Sequence, residues 1–167
     1  GREIFFNPAT FTNENLNGRT RREGVEISFS ARPLEWLTLK AGYTYTDAGI
    51  EEGTFKGNDM PNVPKHQAVF DVETSLGSGL TVALNGSYIG ERPFVSDFAN
   101  AFSDQESYVL LNGRIQYHWK FLKAFLNINN ITNEKYSEYG VIGGFPIEKA
   151  FYPSPRINFL AGLSVDL

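Results

Sequence analysis

The chain has no cysteine, which excludes disulfide frameworks, thiolate nucleophiles and cysteine-ligated zinc or iron–sulfur sites together. It also lacks any run near the roughly 20 consecutive apolar residues of a membrane-spanning helix, and its mean hydropathy is −0.28. A transmembrane strand needs only about 9–11 residues with one apolar face, so a lipid-embedded barrel stays open. Excess basic charge is missing too: 15 Lys+Arg stand against 19 Asp+Glu, a net charge of −4. No footprint for a phosphate backbone follows, and nucleic acid is not an expected partner. The two histidines, His66 and His118, fall in different strands near opposite ends, so a shared metal site is not expected. Neither a Gly-x-Ser-x-Gly turn nor a Ser-His-acid arrangement is present, and the reading is of a non-enzyme without a cofactor. The chain starts Gly1-Arg2-Glu3, without Met or a signal segment, and is read as a mature piece or a fragment. Its 167 residues suit one domain better than two.

What the sequence has is strict period-2 alternation. Val25, Ile27, Phe29 and Ala31 oppose Glu26, Ser28, Ser30 and Arg32, and Leu37, Leu39, Ala41, Tyr43 and Tyr45 keep that phase. Even phase follows in Ala68, Phe70 and Val72, then in Leu80, Val82, Leu84 and Tyr88. Val109, Leu111, Ile115, Tyr117 and Trp119 form the next apolar row, followed by Leu122, Ala124, Leu126 and Ile128. The last segment places Ile157, Phe159, Ala161, Leu163, Val165 and Leu167 on one face. Seven long antiparallel strands are expected, and Glu3 to Phe6 offers an eighth that could close the sheet. Short connections (Pro33-Leu34-Glu35, Gly77-Ser78-Gly79, the Lys120 region) alternate with long ones at roughly 48–64, 91–105 and 133–153.

Two architectures share this pattern. A soluble sandwich or lipocalin-like ligand-binding barrel would bury the apolar rows. An up-and-down transmembrane barrel would turn them to lipid and line a lumen with the polar rows. Strand length, segregated turn and loop ends, and aromatics near both strand ends (Tyr43, Tyr45 and Tyr88; Tyr117 and Trp119) favour lipid. In hydrocarbon the sheet must close, because open edges leave backbone groups unpaired. A small self-contained outer-membrane barrel with a structural or adhesion role is the alternative within this class.

Asn130-Ile131-Thr132-Asn133-Glu134-Lys135-Tyr136, then Phe151-Tyr152-Pro153-Ser154-Pro155-Arg156 and the closing strand, resembles the end of a TonB-dependent outer-membrane receptor. Gly57 to His66 and Arg21-Arg22-Glu23-Gly24-Val25-Glu26 resemble further elements of that family, in order. The resemblance implies a 22-stranded barrel in the bacterial outer membrane, around a plug that contacts the TonB complex. It implies uptake of a scarce ligand, an iron-siderophore foremost. Residues 1–167 would be the C-terminal part of that barrel, with the plug and the remaining strands supplied elsewhere. The closing strand (Ile157, Phe159, Leu163, Val165, Leu167) would be read by the barrel-assembly machinery, although such barrels commonly finish on an aromatic residue rather than Leu167. In isolation such a piece is expected to dimerise, swap strands or force a small closure.

Recognition is expected in the long loops. Arg92, Phe94 and Phe98 in one, and Tyr139, Phe145 and Phe151 in the next, offer a cation and aromatic surfaces suited to an anionic or catecholate iron chelate. The competing account is that these aromatics pack the loops together or extend the upper girdle. Asp47, Glu51, Glu52 and Asp59 make the first loop acidic, read as solvated charge rather than a calcium loop. Gly140, Gly143 and Gly144 are read as flexible loop glycines. Glu26, Arg32, Asp71, Glu73, Arg114 and Arg156 are placed on the lumen face, to meet plug and water, or each other across a small closed barrel.

Overall fold

A computed structural model describes residues 4–7 and 12–166, and every regular element among them is a strand. Seven make one antiparallel sheet: β3 (Thr20–Leu34), β4 (Leu37–Ile50), β5 (His66–Ser75), β6 (Leu80–Ile89), β7 (Tyr108–Trp119), β8 (Leu122–Asn129) and β11 (Asn158–Val165). Their order is β11-β8-β7-β6-β5-β4-β3, so each strand pairs with its neighbour in sequence except where β9 (Ser137–Gly143) and β10 (Glu148–Pro153) intervene. Those two form a separate hairpin, as do β1 (Ile4–Asn7) and β2 (Thr12–Asn15).

The register carries the alternation across the sheet. Ala31, Leu39, Val72, Leu84, Gly113, Ile128 and Phe159 are successive partners from β3 to β11, one apolar row spanning seven strands. On the other face Ser30, Lys40, Asp71, Asn85 and Asn112 run in register from β3 to β7. A one-residue slip would exchange these faces on every strand, which is why the pattern fixes the pairing. The apolar rows are not sealed in a dry centre: Val25, Ile27, Phe29, Val109, Phe159 and Leu163 are all exposed.

Two expectations need correction, the closing eighth strand and the plain loop at 133–153, and of the fates offered for the sheet in isolation a small closed barrel is not the one observed. Glu3 and Leu167 lie outside the described residues, but β1 pairs with β2 and not with the main sheet, so it supplies no closing eighth strand. Among the described residues β3 and β11 do not pair, and the sheet stays open instead of being forced into a small barrel. The polar-face charges therefore do not pair across a narrow bore: Arg32 turns to the Glu35 carbonyl, and Asp71 accepts from Asn85 at 3.1 Å. The edges of β3 and β11 remain available to further strands. The stretch at 133–153 is not a plain loop either, because it contains β9 and β10.

The buried apolar core sits at the long-loop end. Leu16, Ala48, Ile50, Met60 and Phe98 cluster there, with Phe55 and Val63 packed against them. Leu16 arrives from the segment before β3, where Asn17 and Gly18 cross Glu52 and Gly53 backbone to backbone. A Cβ on Gly53, whose φ is +90°, would overlap the Asn17 carbonyl oxygen. Only glycine fits that crossing.

Candidate functional site

The long-loop end is built by three connections, residues 51–65, 90–107 and 130–157, and one arginine joins them. Arg92 is buried; its Nη2 donates to the carbonyls of Ser137 and Glu138, each at 3.1 Å, and its Nε donates to Asn62 Oδ1 at 3.3 Å. A backbone bridge pairs Arg92 with Gln105, whose Nε2 donates to the Pro93 carbonyl at 3.2 Å. The planar guanidinium suits this work because its donors point in fixed directions toward several acceptors. Its face also lies over the ring of Tyr108, 5.5 Å from the centroid.

A second knot orders the return to β11. Asn130 is buried with φ +52°; its Nδ2 donates to the Glu134 and Pro155 carbonyls, its Oδ1 accepts from the Glu134 amide at 2.8 Å, and its amide donates to Asn112 Oδ1 at 2.9 Å. Asn133, at φ +56°, holds Arg156 through its own side-chain and backbone oxygens. The Asn-x-x-Asn spacing and the distant Arg156 are thus two halves of one clasp. Asparagine suits both positions because it tolerates the left-handed region while its side chain bonds nearby backbone.

Between these knots lies a cleft of about 560 Å³, walled by residues 103–108 on one side and by parts of 134–156 on the other. Tyr108 shares the polar face through its partner Ile89, which pairs with Gln67, itself opposite Thr44. The Tyr108 wall of the cleft therefore belongs to the polar side of the sheet. Tyr108 and Tyr136 rings meet at 4.8 Å in its wall, while Lys149 Nζ donates to the Ser103 carbonyl at 3.0 Å. Asp104 also lines it; burial and then repulsion from Asp59, Glu91 and Asp97 raise its carboxyl above the ordinary carboxylate value.

The sequence-selected residues separate into two groups. Arg92, Phe94 and Phe98 are all buried, at 3%, 1% and 8% exposure: Phe94 packs edge-on against Phe151 at 5.3 Å, and Phe98 meets Phe55 at 6.0 Å in the loop core. Tyr139, Phe145 and Phe151 are exposed, with Tyr139 against Tyr152 across the β9–β10 hairpin and Phe145 at its tip. Of the six, Phe151 alone lines the cleft. Gly140 is not a loose loop glycine: it is a buried strand residue, and an added Cβ would stand 2.7 Å from the Phe94 ring. Gly144, at φ +92°, does serve the turn. Ile157, Phe159, Leu163 and Val165 are exposed along or beside β11. The acidic residues of the first loop meet cations: Glu51 and Glu52 flank Arg19 at 3.0 and 3.1 Å, Asp47 meets Arg21, and Asp59 meets Lys65 at 2.8 Å. His66 accepts or donates at Nδ1 with the Tyr43 hydroxyl, 2.7 Å away, while His118 sits at the opposite end of the sheet beside the Gly79 turn.

Sequence reasoning missed Asn62, Gln105, Tyr108, Tyr136 and Lys149. The signal for Asn62 was its place in Pro61-Asn62-Val63-Pro64, a turn context that favours asparagine, and that for Tyr136 was its place at the end of the Asn130–Tyr136 motif; Gln105, Tyr108 and Lys149 carried none, since their roles depend on loops meeting in space.

The profile described as "TonB dependent receptor-like, beta-barrel" matches residues 3–131. This chain belongs to the TonB-dependent receptor β-barrel family. Its seven-stranded sheet is a sector of an outer-membrane receptor barrel. The ferrichrome outer membrane transporter/phage receptor of Escherichia coli K12 is 31% identical over 129 residues, 71% of this chain and 17% of the relative. The ferric-pyoverdine M114 receptor of Pseudomonas sp. is 29% identical over 163 residues, 90% of this chain and 19% of the relative. The chain thus spans less than a fifth of these relatives. Among solved structures, the ferric yersiniabactin uptake receptor from Yersinia pestis superposes with a TM-score of 0.79 at 17% identity, over 90% of this chain and 24% of that one. That family is one of receptors and transporters rather than enzymes.

Proposed function

We propose that this chain is the C-terminal sector of a TonB-dependent receptor that takes up an iron-siderophore, and that the cleft beside Tyr108 and Tyr136 forms part of its ligand-facing wall. The supporting observation is the position of that cleft: its Tyr108 wall belongs to the polar side of the sheet, at the end where the long loops converge. Its volume falls in the range of small-molecule sites. The remaining strands would cover the edges of β3 and β11, and a plug carried elsewhere in the receptor would occupy the lumen and contact TonB. The barrel-assembly machinery would read β11, and outer-membrane lipid would cover the apolar rows. The chain supplies no catalysis in this scheme.

The test is uptake of radiolabelled ferric chelates by iron-starved cells carrying or lacking the full-length receptor, with and without a functional TonB complex. Uptake that needs both supports the proposal. Unchanged uptake on deleting the receptor, for every chelate class offered, would remove it.

A further inference from the structure

The two faces of the β9–β10 hairpin differ. Residues directly opposite in its ladder share a face, so Gly140 with Phe151 and Ile142 with Lys149 make one, while Tyr139 with Tyr152 and Val141 with Ala150 make the other. The first face is seated. Phe151 packs on Phe94, a Cβ on Gly140 would stand 2.7 Å from the same ring, and Lys149 Nζ donates to the Ser103 carbonyl. Phe94 and Ser103 both belong to the β6–β7 connection. The second face is apolar and open: Tyr139 and Tyr152 meet edge to face at 5.6 Å yet stay 43% and 61% exposed. Ile147, exposed, and Phe145, fully exposed, carry the apolar surface to the tip.

The hairpin cannot turn this face inward without breaking buried bonds, because Arg92 holds the Ser137 and Glu138 carbonyls and the Val95 amide donates to Gly140. A contiguous apolar surface on a fixed element marks a contact site. Its place excludes acyl chains as the cover: it lies beyond the polar clasp of Asn130, Asn133 and Arg156, past the apolar rows of the wall. Its direction selects the occupant. The sheet order puts β8 between β11 and β7, and the hairpin leaves after β8 and returns into β11. With one face on the β6–β7 connection, the other is turned the opposite way, over the free edge of β11. The barrel continues from that edge, since the chain spans less than a fifth of the ferrichrome and pyoverdine receptors it matches. In an up-and-down barrel the strand that joins β11 runs antiparallel to it and so ends at the long-loop end, beside this face. We propose that Tyr139, Val141, Ala150 and Tyr152, with Ile147 and Phe145, seat the extracellular loop that follows that joining strand, through an apolar, aromatic-bearing segment of the loop. The inference rests on the barrel family and not on the choice of ligand.

The experiment is photocrosslinking within the full-length receptor in outer membranes, with a benzophenone amino acid placed singly at Tyr139, Tyr152, Lys149 or Leu160. The probe at Leu160, in β11, marks the peptide of the joining strand. Probes at Tyr139 and Tyr152 should capture the loop peptide that follows that strand in the same chain, whereas the probe at Lys149 should capture the β6–β7 connection. Capture of a second receptor copy, of lipopolysaccharide, or of nothing at Tyr139 and Tyr152 overturns the proposal. Should those two probes block assembly, limited proteolysis of Tyr139→Ser/Tyr152→Ser decides. Cleavage in the loop after the joining strand should rise about tenfold, because the loop loses its aromatic seat and opens more often. Cleavage within residues 51–65 should stay at the wild-type rate, which reports that the variant has folded. An unchanged rate in the loop overturns the proposal.

Discussion

Arg156 grips Asn133 with two donors: Nε reaches Oδ1 at 2.9 Å and Nη2 reaches the backbone carbonyl at 3.1 Å, across 23 residues of chain. The contact joins the turn after β8 to the residues just before β11, so the whole β9–β10 excursion leaves and returns through one gate.

Replacing Arg156 with Ala should loosen that gate by about 1–2 kcal/mol, since hydrogen bonds from a charged donor are lost. Limited proteolysis of the receptor should show faster cleavage within residues 130–157 and no change within 51–65. Lysine should restore little, because it lacks the two-pronged geometry.

Arg92→Met should be more costly, about 2–4 kcal/mol, because the substitution removes the buried donor shared by the Ser137 and Glu138 carbonyls and Asn62. Hydrogen exchange should accelerate at Asn62, Gln105 and Val95 together, as their amides bond to Pro93, Arg92 and Gly140. Acceleration confined to residues 90–107 would show that the three connections are not held as one body.

Gly140→Ala should destabilise the loop block by about 1–3 kcal/mol through overlap with the Phe94 ring and Gln105 Oε1. A double-mutant cycle with Phe94→Leu should show coupling, the smaller side chain making room. Thermal unfolding monitored by the Val95 amide reads it directly, because that amide donates to Gly140.

Asp104 carries a pH signature. Its carboxyl is raised by burial first and by neighbouring acids second, so the folded state binds its proton more tightly than the unfolded state. Stability therefore falls as pH rises from the unfolded value through the folded one, and the full penalty persists at neutral pH. Asp104→Asn should raise the melting temperature at pH 7 and have little effect well below the ordinary carboxylate value of 3.8; a pH-independent change would contradict the assignment. Denaturation scans across that range supply the measurement.

The strands were legible because register depends on a local rule. Val25 to Ala31 and Val109 to Trp119 announce their faces residue by residue, and the pairing simply lays those rows side by side. The clasp was visible as a motif, though not as a mechanism: Asn130, Asn133 and Arg156 stood out, while the bonds that close it join positions 23 and 25 residues apart. The loop residues admit two readings, recognition and packing, and the sequence does not separate them. Arg92 and Phe94 look like recognition residues by chemistry, yet burial is decided by which loops converge, and no periodicity records that. The β9–β10 hairpin was passed over although Gly143-Gly144 sits between two extended stretches, because its strands are short and joined to the main sheet only through loop contacts.

The placement of the apolar cluster around Leu16 and Met60 divides the chain between two solvents. The headpiece has side chains of its own to pack against, while the wall beneath it borrows hydrocarbon from its surroundings. Exchanging a long-chain lipid for a short detergent would therefore rewrite the mechanics of the wall and leave the headpiece almost untouched.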